Sequence, residues 1–219
     1  MEVLPQITVR NALVYMVSRY GSQDALHPAM NHALSAVLLL AAVTPACAQL
    51  SGDLKRQFDD AEQRIPRLLP TAFPGLPRNL VNELQRRGCT IPQTPYTKQP
   101  HNIIQGEFAQ SGQTDWAVLC SVNGISTILV FWKGSEKDAA AITPMEDRNF
   151  LQGITATEIG VSRGISAVGR DFILRHYDPY GGVQLPPISH QGIDDAFIEK
   201  ASVTWYFHEG KWLKLRGAD

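Results

Sequence analysis

The stretch from Asp115 to Trp132 does most to limit what this chain can fold into. Two largely apolar runs, Asp115-Trp116-Ala117-Val118-Leu119-Cys120 and Ser126-Thr127-Ile128-Leu129-Val130-Phe131-Trp132, are joined through Val122-Asn123-Gly124-Ile125. A two-residue hairpin turn needs positive φ at both central residues, which Asn and Gly adopt most readily, so the runs are expected to pair antiparallel. Thr127–Trp132 is apolar almost without interruption, as in a central strand covered on both faces. Asn102–Phe108 reads as a further strand, and the chain closes on a second hairpin, Ala201–Phe207 and Lys211–Leu215, through His208-Glu209-Gly210.

Helical signals lie mainly before these strands. Leu54, Phe58, Ala61 and Ile65 recur at spacings of a single helix face from Asp53 to about Arg64, and Pro66 ends the pattern. Pro66, Pro70, Pro74 and Pro77 then punctuate a connector. A second helix is marked by Pro77 in its first turn, Leu80, Val81 and Leu84 on one face, Arg86 and Arg87 near its end and Gly88 just beyond. Ile91–Pro100 reads as extended. Ser166 is expected to cap a helix from Ala167 to about Tyr177, with Val168, Phe172, Ile173 and His176 on one side and Asp178-Pro179-Tyr180-Gly181-Gly182 as its stop. The expected class is α+β, with N-terminal helices packed on a mainly antiparallel β-sheet in a single domain.

Upstream, Ala33–Val43 is an apolar run well short of the roughly 20 residues that span a bilayer, and the right length for the h-region of a secretory signal. Ala46-Cys47-Ala48 supplies the small residues a signal peptidase requires, so cleavage is expected after Ala48. Residues 30–48 then form the signal peptide, residues 1–29 an over-extended or disordered N-terminus, and residues 49–219 the domain. A buried core helix is the alternative for the apolar run, and acylation at Cys47 as a lipoprotein the alternative processing. The expected location is periplasmic or secreted, with no stable membrane insertion after cleavage.

Removing the leader leaves Cys89 and Cys120, an even pair in an oxidising compartment. A bridge between them would contribute about 3.5–4 kcal/mol by loop-closure entropy; two buried free thiols are the alternative. The chain carries 20 Lys and Arg against 21 Asp and Glu, for a net charge of −1, which gives no reason to expect nucleic acid as a partner.

Gly106-Glu107-Phe108-Ala109-Gln110-Ser111-Gly112-Gln113-Thr114-Asp115-Trp116-Ala117-Val118-Leu119 resembles one degraded copy of the FG-GAP or VCBS repeat. Gly106, Phe108, Gly112, Asp115, Ala117 and Val118 carry the match. The resemblance implies a strand-loop-strand unit, and in its family the acidic loop often holds calcium. Here Glu107 and Asp115 are the candidate ligands, while Ala109 and Ser111 replace oxygen-rich side chains. No cofactor is expected otherwise. With the leader and the Trp-rich closing hairpin, the chain also looks like exported bacterial proteins, a likeness that implies a compartment and no activity.

Catalytic signatures are sparse. No H-E-x-x-H, G-x-S-x-G, GxGxxG or Walker loop is present. The best cluster is His190 with Asp194 and Asp195, readable as base and orienter, or as a polar turn before the strand around Phe197. Trp116, Trp132, Trp205 and Trp212 are candidate binding aromatics if at least two lie exposed together. The expectation is therefore an exported, non-enzymatic module binding protein or glycan, with a periplasmic hydrolase using His190 and the Asp pair, or a structural calcium module, as alternatives.

Overall fold

In a computed structural model, residues 52–180 and 183–218 are described. The expected signal peptide, its expected cut after Ala48 and the alternative acylation at Cys47 fall outside the described residues. Gly52–Asp219 forms a compact unit of its own.

The Asn-Gly turn sets the register of the central hairpin. Asn123 and Gly124 have φ of 51° and 77°, and β4 (Asp115–Val122) pairs with β5 (Ile125–Phe131) from Val122 opposite Ile125 to Trp116 opposite Phe131. β3 (Ile103–Gly106) and β6 (Ala140–Glu146) flank them, giving a four-stranded sheet in the order β3-β4-β5-β6. A second antiparallel sheet runs β12 (Lys211–Arg216), β11 (Ala201–His208), β10 (Gly192–Phe197), β9 (Arg163–Val168). Two ribbons complete the set: β1 (Arg67–Leu68) with β2 (Ile91–Pro92), and β7 (Leu151–Gly153) with β8 (Ile159–Val161).

The two large sheets share a core. Ala117, Leu119, Ile128, Val130 and Ile142 of the first pack with Phe108 against Ile165 and Ile193 of the second. The other face of the first sheet, through Val118, Cys120, Leu129 and Phe131, meets Leu80 and Leu84 of helix α2 (Arg78–Arg86). The other face of the second sheet, through Val168, Tyr206 and Leu215, meets Ile173 of α3 (Arg170–His176). Both central strands are therefore covered on two sides, as the unbroken apolarity of Thr127–Trp132 requires.

One edge of this sandwich is fastened and the other is open. β3 and β9 come together, tied by the buried Asn102 at φ 69°. Its Nδ2 donates to the carbonyls of Pro92 (2.7 Å) and Arg163 (3.1 Å), its Oδ1 accepts Ile165 N–H (3.0 Å), and its own carbonyl accepts Leu119 N–H (2.9 Å). At the opposite side β6 and β12 each end their sheet.

The expected α+β arrangement, helices packed on one sheet, does not hold. Among the described residues the chain is mostly antiparallel β, twelve strands in four sheets, with three short α-helices: α1 (residues 52–63), α2 and α3. The missing strands carry weak signals for physical reasons. β6 is a half-exposed edge strand containing Pro144, and β8 has only three residues, one of them Gly160. Ser166 does not cap a helix: it lies inside β9 opposite Asp194, and α3 begins only at Arg170 after Gly169. Asp194 and Asp195 lie in mid-strand rather than in a turn, because each has a side-chain partner that permits its burial.

The first two helices do form where the periodicity places them, α2 ending before Gly88 at φ 74°. Cys89 and Cys120 are joined in a disulfide with Cα atoms 5.1 Å apart, linking the end of α2 to β4. Among the described residues no helix is long and apolar enough to cross a membrane.

Candidate functional site

The motif loop after β3 is organised by Asp115, which is fully buried. Its Oδ2 accepts the backbone N–H groups of Phe108 and Ala109, both at 3.0 Å. Its Oδ1 accepts Gln113 Nε2 and Lys133 N–H, both at 2.8 Å. Four donors thus surround the carboxylate, the opposite polarity to a cation. Glu107 is held by its backbone, donating N–H to Gln191 Oε1 (2.9 Å) and accepting Gln191 N–H (2.9 Å). Among the described residues no three His, Cys, Asp or Glu side chains converge to hold a metal. Gly106 is required where it stands, since a Cβ there would lie 2.6 Å from the Phe108 ring.

His190, Asp194 and Asp195 each have separate employment. The His190 ring stacks on Tyr206, centroids 4.4 Å apart and 6° from parallel, with Nδ1 3.0 Å from the Gln191 carbonyl. Asp195 receives both Nε and NH2 of Arg163 at 2.8 Å, a bidentate pair in which Arg163 is almost wholly buried. The third Arg163 nitrogen donates to Ser126 Oγ (2.7 Å) and Ser126 carbonyl (3.1 Å), and its guanidinium lies 4.6 Å from the Phe150 ring centre. Neighbouring strand residues point to opposite faces, so Asp194 turns away from Asp195. It accepts Ser202 Oγ–H (2.7 Å) and, more weakly, Thr204 Oγ1–H (3.4 Å). Burial pushes its carboxyl above the usual range, and the two hydroxyls only partly oppose that. No hydrogen bond joins His190 to either aspartate among the described residues.

The four tryptophans are all half-buried and divide into two groups. Trp116 packs with the α2 side of the first sheet, beside Phe73 and Ile103. Trp132, Trp205 and Trp212 border the core between the sheets. Trp132 stacks on Trp212 (5.8 Å, 16°), and Phe207 closes the cluster at 4.8 Å from Trp132 and 5.2 Å from Trp212. The buried indole N–H groups of Trp205 and Trp212 meet no acceptor among the described residues.

Trp205 opens onto a groove of about 310 Å³ at the unfastened edge of the sandwich. Val203, Trp205 and Phe197 form one wall, with Met145 and Phe150 opposite. Asp195 lies at its base, and Thr143, Ser202 and Lys214 supply the polar margin. Because Asp195 is neutralised by Arg163, the groove presents an apolar, aromatic lining with a free cation at its rim. Trp205 is the candidate aromatic that faces it. Arg163, Phe150 and Met145 carry no local signal and reach the site from separate segments, whereas Lys214 is the cross-strand partner of Trp205 in the closing hairpin.

The geometry finds no counterpart by comparison. No family model matches the chain, and neither a curated protein nor a solved structure does.

Proposed function

We propose that the chain is an exported, non-enzymatic binding module whose ligand face is the aromatic groove between β6 and the β11–β12 hairpin. The observation that carries this reading is the groove itself: Trp205, Val203, Phe197 and Met145 left half-covered at an open sandwich edge, in a cavity large enough for a side chain or a sugar ring. The residues with acid-base chemistry support a module over a catalyst, since Asp195 is held by Arg163, and His190 is stacked on Tyr206. Export is supported by the apolar run Ala33–Val43 with Ala46-Cys47-Ala48 and by the Cys89–Cys120 disulfide, which suits an oxidising compartment.

Two measurements test it. N-terminal sequencing of the protein recovered from periplasm and culture fluid is expected to begin at Gln49; an uncut chain retained in the cytoplasm refutes export. For the groove, Val203→Arg places a bulky cation in the cavity and is expected to abolish binding of any peptide or oligosaccharide selected on the parent protein, with the fold kept. Undiminished binding by that variant refutes the assignment of the face.

A further inference from the structure

We infer that residues 94–100 form a pH-sensitive strap, closed by the neutral His101 imidazole and opened at its Thr94–Pro95 limb when that ring gains a proton. The strap shares no lining residue with the groove, so the inference stands apart from the binding face.

The strap has little else to hold it. Pro95 and Pro100 have no N–H, and residues 94–100 make no backbone–backbone hydrogen bond among the described residues. The His101 ring takes that place from the side. Its Nε2 accepts the Thr94 N–H at 2.8 Å and its Nδ1 lies 2.9 Å from the Gln99 carbonyl, so one ring spans both ends of the segment. The base below is fixed whatever the charge of the ring. Gln93, buried, donates from Nε2 to the His101 carbonyl (3.0 Å), accepts His101 N–H at Oε1 (3.0 Å) and gives its own N–H to the Pro66 carbonyl (2.8 Å). At the tip, Tyr96 Oη donates to Glu199 Oε2 at 2.8 Å.

The partners decide the charge of the ring. A backbone N–H can only donate and a carbonyl can only accept, so Nε2 carries the lone pair and Nδ1 the hydrogen, a neutral tautomer with both nitrogens engaged. Adding a proton at Nε2 sets N–H against N–H. The Gln99 bond survives that change and is strengthened by the charge, whereas the Thr94 bond is lost. Thr94 is buried, so its N–H reaches water only if the backbone there turns outward. No carboxylate compensates. The charged groups around the strap are Lys98 on it, Arg64 and Glu158 beside Pro95, and Glu199 at Tyr96, and none forms an ion pair with His101 among the described residues. Arg67 and Arg163, on strands bonded to either side of its base, are turned to Asp147 and Asp195.

The limb that moves covers a cavity. Pro95 borders it with Ala61, Ile65, Ile159 and Val161, and sits so close to Gly160 that a Cβ there would stand 3.4 Å from Pro95 Cγ. Lifting Thr94 and Pro95 therefore uncovers the apolar seam between the end of α1 and the β7–β8 ribbon. Acid exposes a surface that is shut at neutral pH, and the strap reseals when the ring gives up its proton.

The test is NMR of the full-length, 15N-labelled chain between about pH 7.5 and about pH 5, a window that spans ordinary imidazole titration. Long-range 1H–15N spectra of the His101 ring are expected to show the Nδ1–H tautomer at the upper end; the Nε2–H tautomer overturns the inference. Amide exchange, corrected for the intrinsic rate at each pH, is expected to show Thr94 protection falling about tenfold or more on acidification while Gln93 holds. His101→Gln presents a carbonyl oxygen close to where Nε2 stood, so its Thr94 protection should stay constant with pH. His101→Lys, charged throughout, should leave Thr94 unprotected at both ends of the window. Protection in the parent that does not change with pH, or a change that persists in His101→Gln, overturns the inference. If neither variant folds, the tautomer and the Thr94 response of the parent still decide it.

Discussion

Replacing Asp115 by alanine removes the acceptor for four donors at once. Three of these are backbone N–H groups, on Phe108, Ala109 and Lys133, and the fourth is the Gln113 amide. A buried donor left without an acceptor costs about 1–3 kcal/mol. Gln113 and Ala109 are half-buried and can recruit water, whereas Phe108 is fully buried, so the low figure suits the first two and the high figure the last. Lys133 is exposed and takes the low figure too, so the expected loss is about 6 kcal/mol, which for a domain of this size lowers Tm by about 12–24 °C. Asp115→Asn keeps one oxygen but turns an amide N–H toward two donors, and is expected to recover less than half of that loss. Urea and thermal denaturation followed by tryptophan fluorescence read both variants. The same experiment separates a protein-filled carboxylate from a calcium ligand, because a ligand that binds only the folded state raises Tm with its concentration. A loss below about 1 kcal/mol for Asp115→Ala, or a parent Tm that climbs with added calcium and falls with chelator, would refute the reasoning.

Further outcomes follow from other buried groups. Arg163→Met leaves the Asp195 carboxylate buried and unmatched, so a loss of about 3–5 kcal/mol is expected in urea unfolding, largely recovered when Asp195→Leu is added; a second substitution that deepens the loss contradicts this. Breaking the disulfide with Cys89→Ala and Cys120→Ala is expected to cost about 3–4 kcal/mol, and alkylation of the unreduced parent should add no mass at either position. Burial raises the Asp194 pKa above its unfolded value of 3.8, so its stabilising contribution is complete below that value and is lost as pH rises through the folded value. Measured against Asp194→Asn, the parent should therefore lose relative stability from pH 3.8 toward neutrality; a relative gain over that range reverses the sign. Gly217→Ala is expected to destabilise, since its Cβ would meet Ser202 Oγ and the Asp194 carboxylate; an unchanged urea midpoint would show that the C-terminal segment yields.

What could be read from the sequence was local. Asn123-Gly124 dictates its own turn and hence the pairing of β4 with β5, and α2 is bracketed by Pro77 and Gly88 within nine residues of helix. The disulfide needed only the even pair, Cys89 and Cys120, that the expected leader cut leaves. The second sheet was not legible because its strands borrow their polar residues from afar: Asp195 is tolerable in mid-strand only because Arg163 lies 32 positions earlier and Ser126 beyond that. Read alone, Asp194-Asp195 looks like a turn. The candidate site suffered the same way. Trp205 was visible as an aromatic, and Lys214 is its partner across the predicted hairpin, but Met145 and Phe150 converge on it only when two sheets face each other. The motif singles out Asp115 as a candidate ligand, whereas three of the four donors it accepts from are backbone groups, which no side-chain pattern reveals.

Asn102 gives the sandwich a mechanical asymmetry. With β2, β4 and β9 all bonded to one residue, four hydrogen bonds gather at a single buried side chain and its backbone. Elsewhere the sheets are joined by the Arg163–Ser126 bonds and by the stacking of Trp132 on Trp212, so among the described residues the Asn102 seam is the one place where a single amide sets the spacing of three strands. No groove-wall residue takes part in it. A substitution there would disturb how the sheets meet while every wall residue stayed the same.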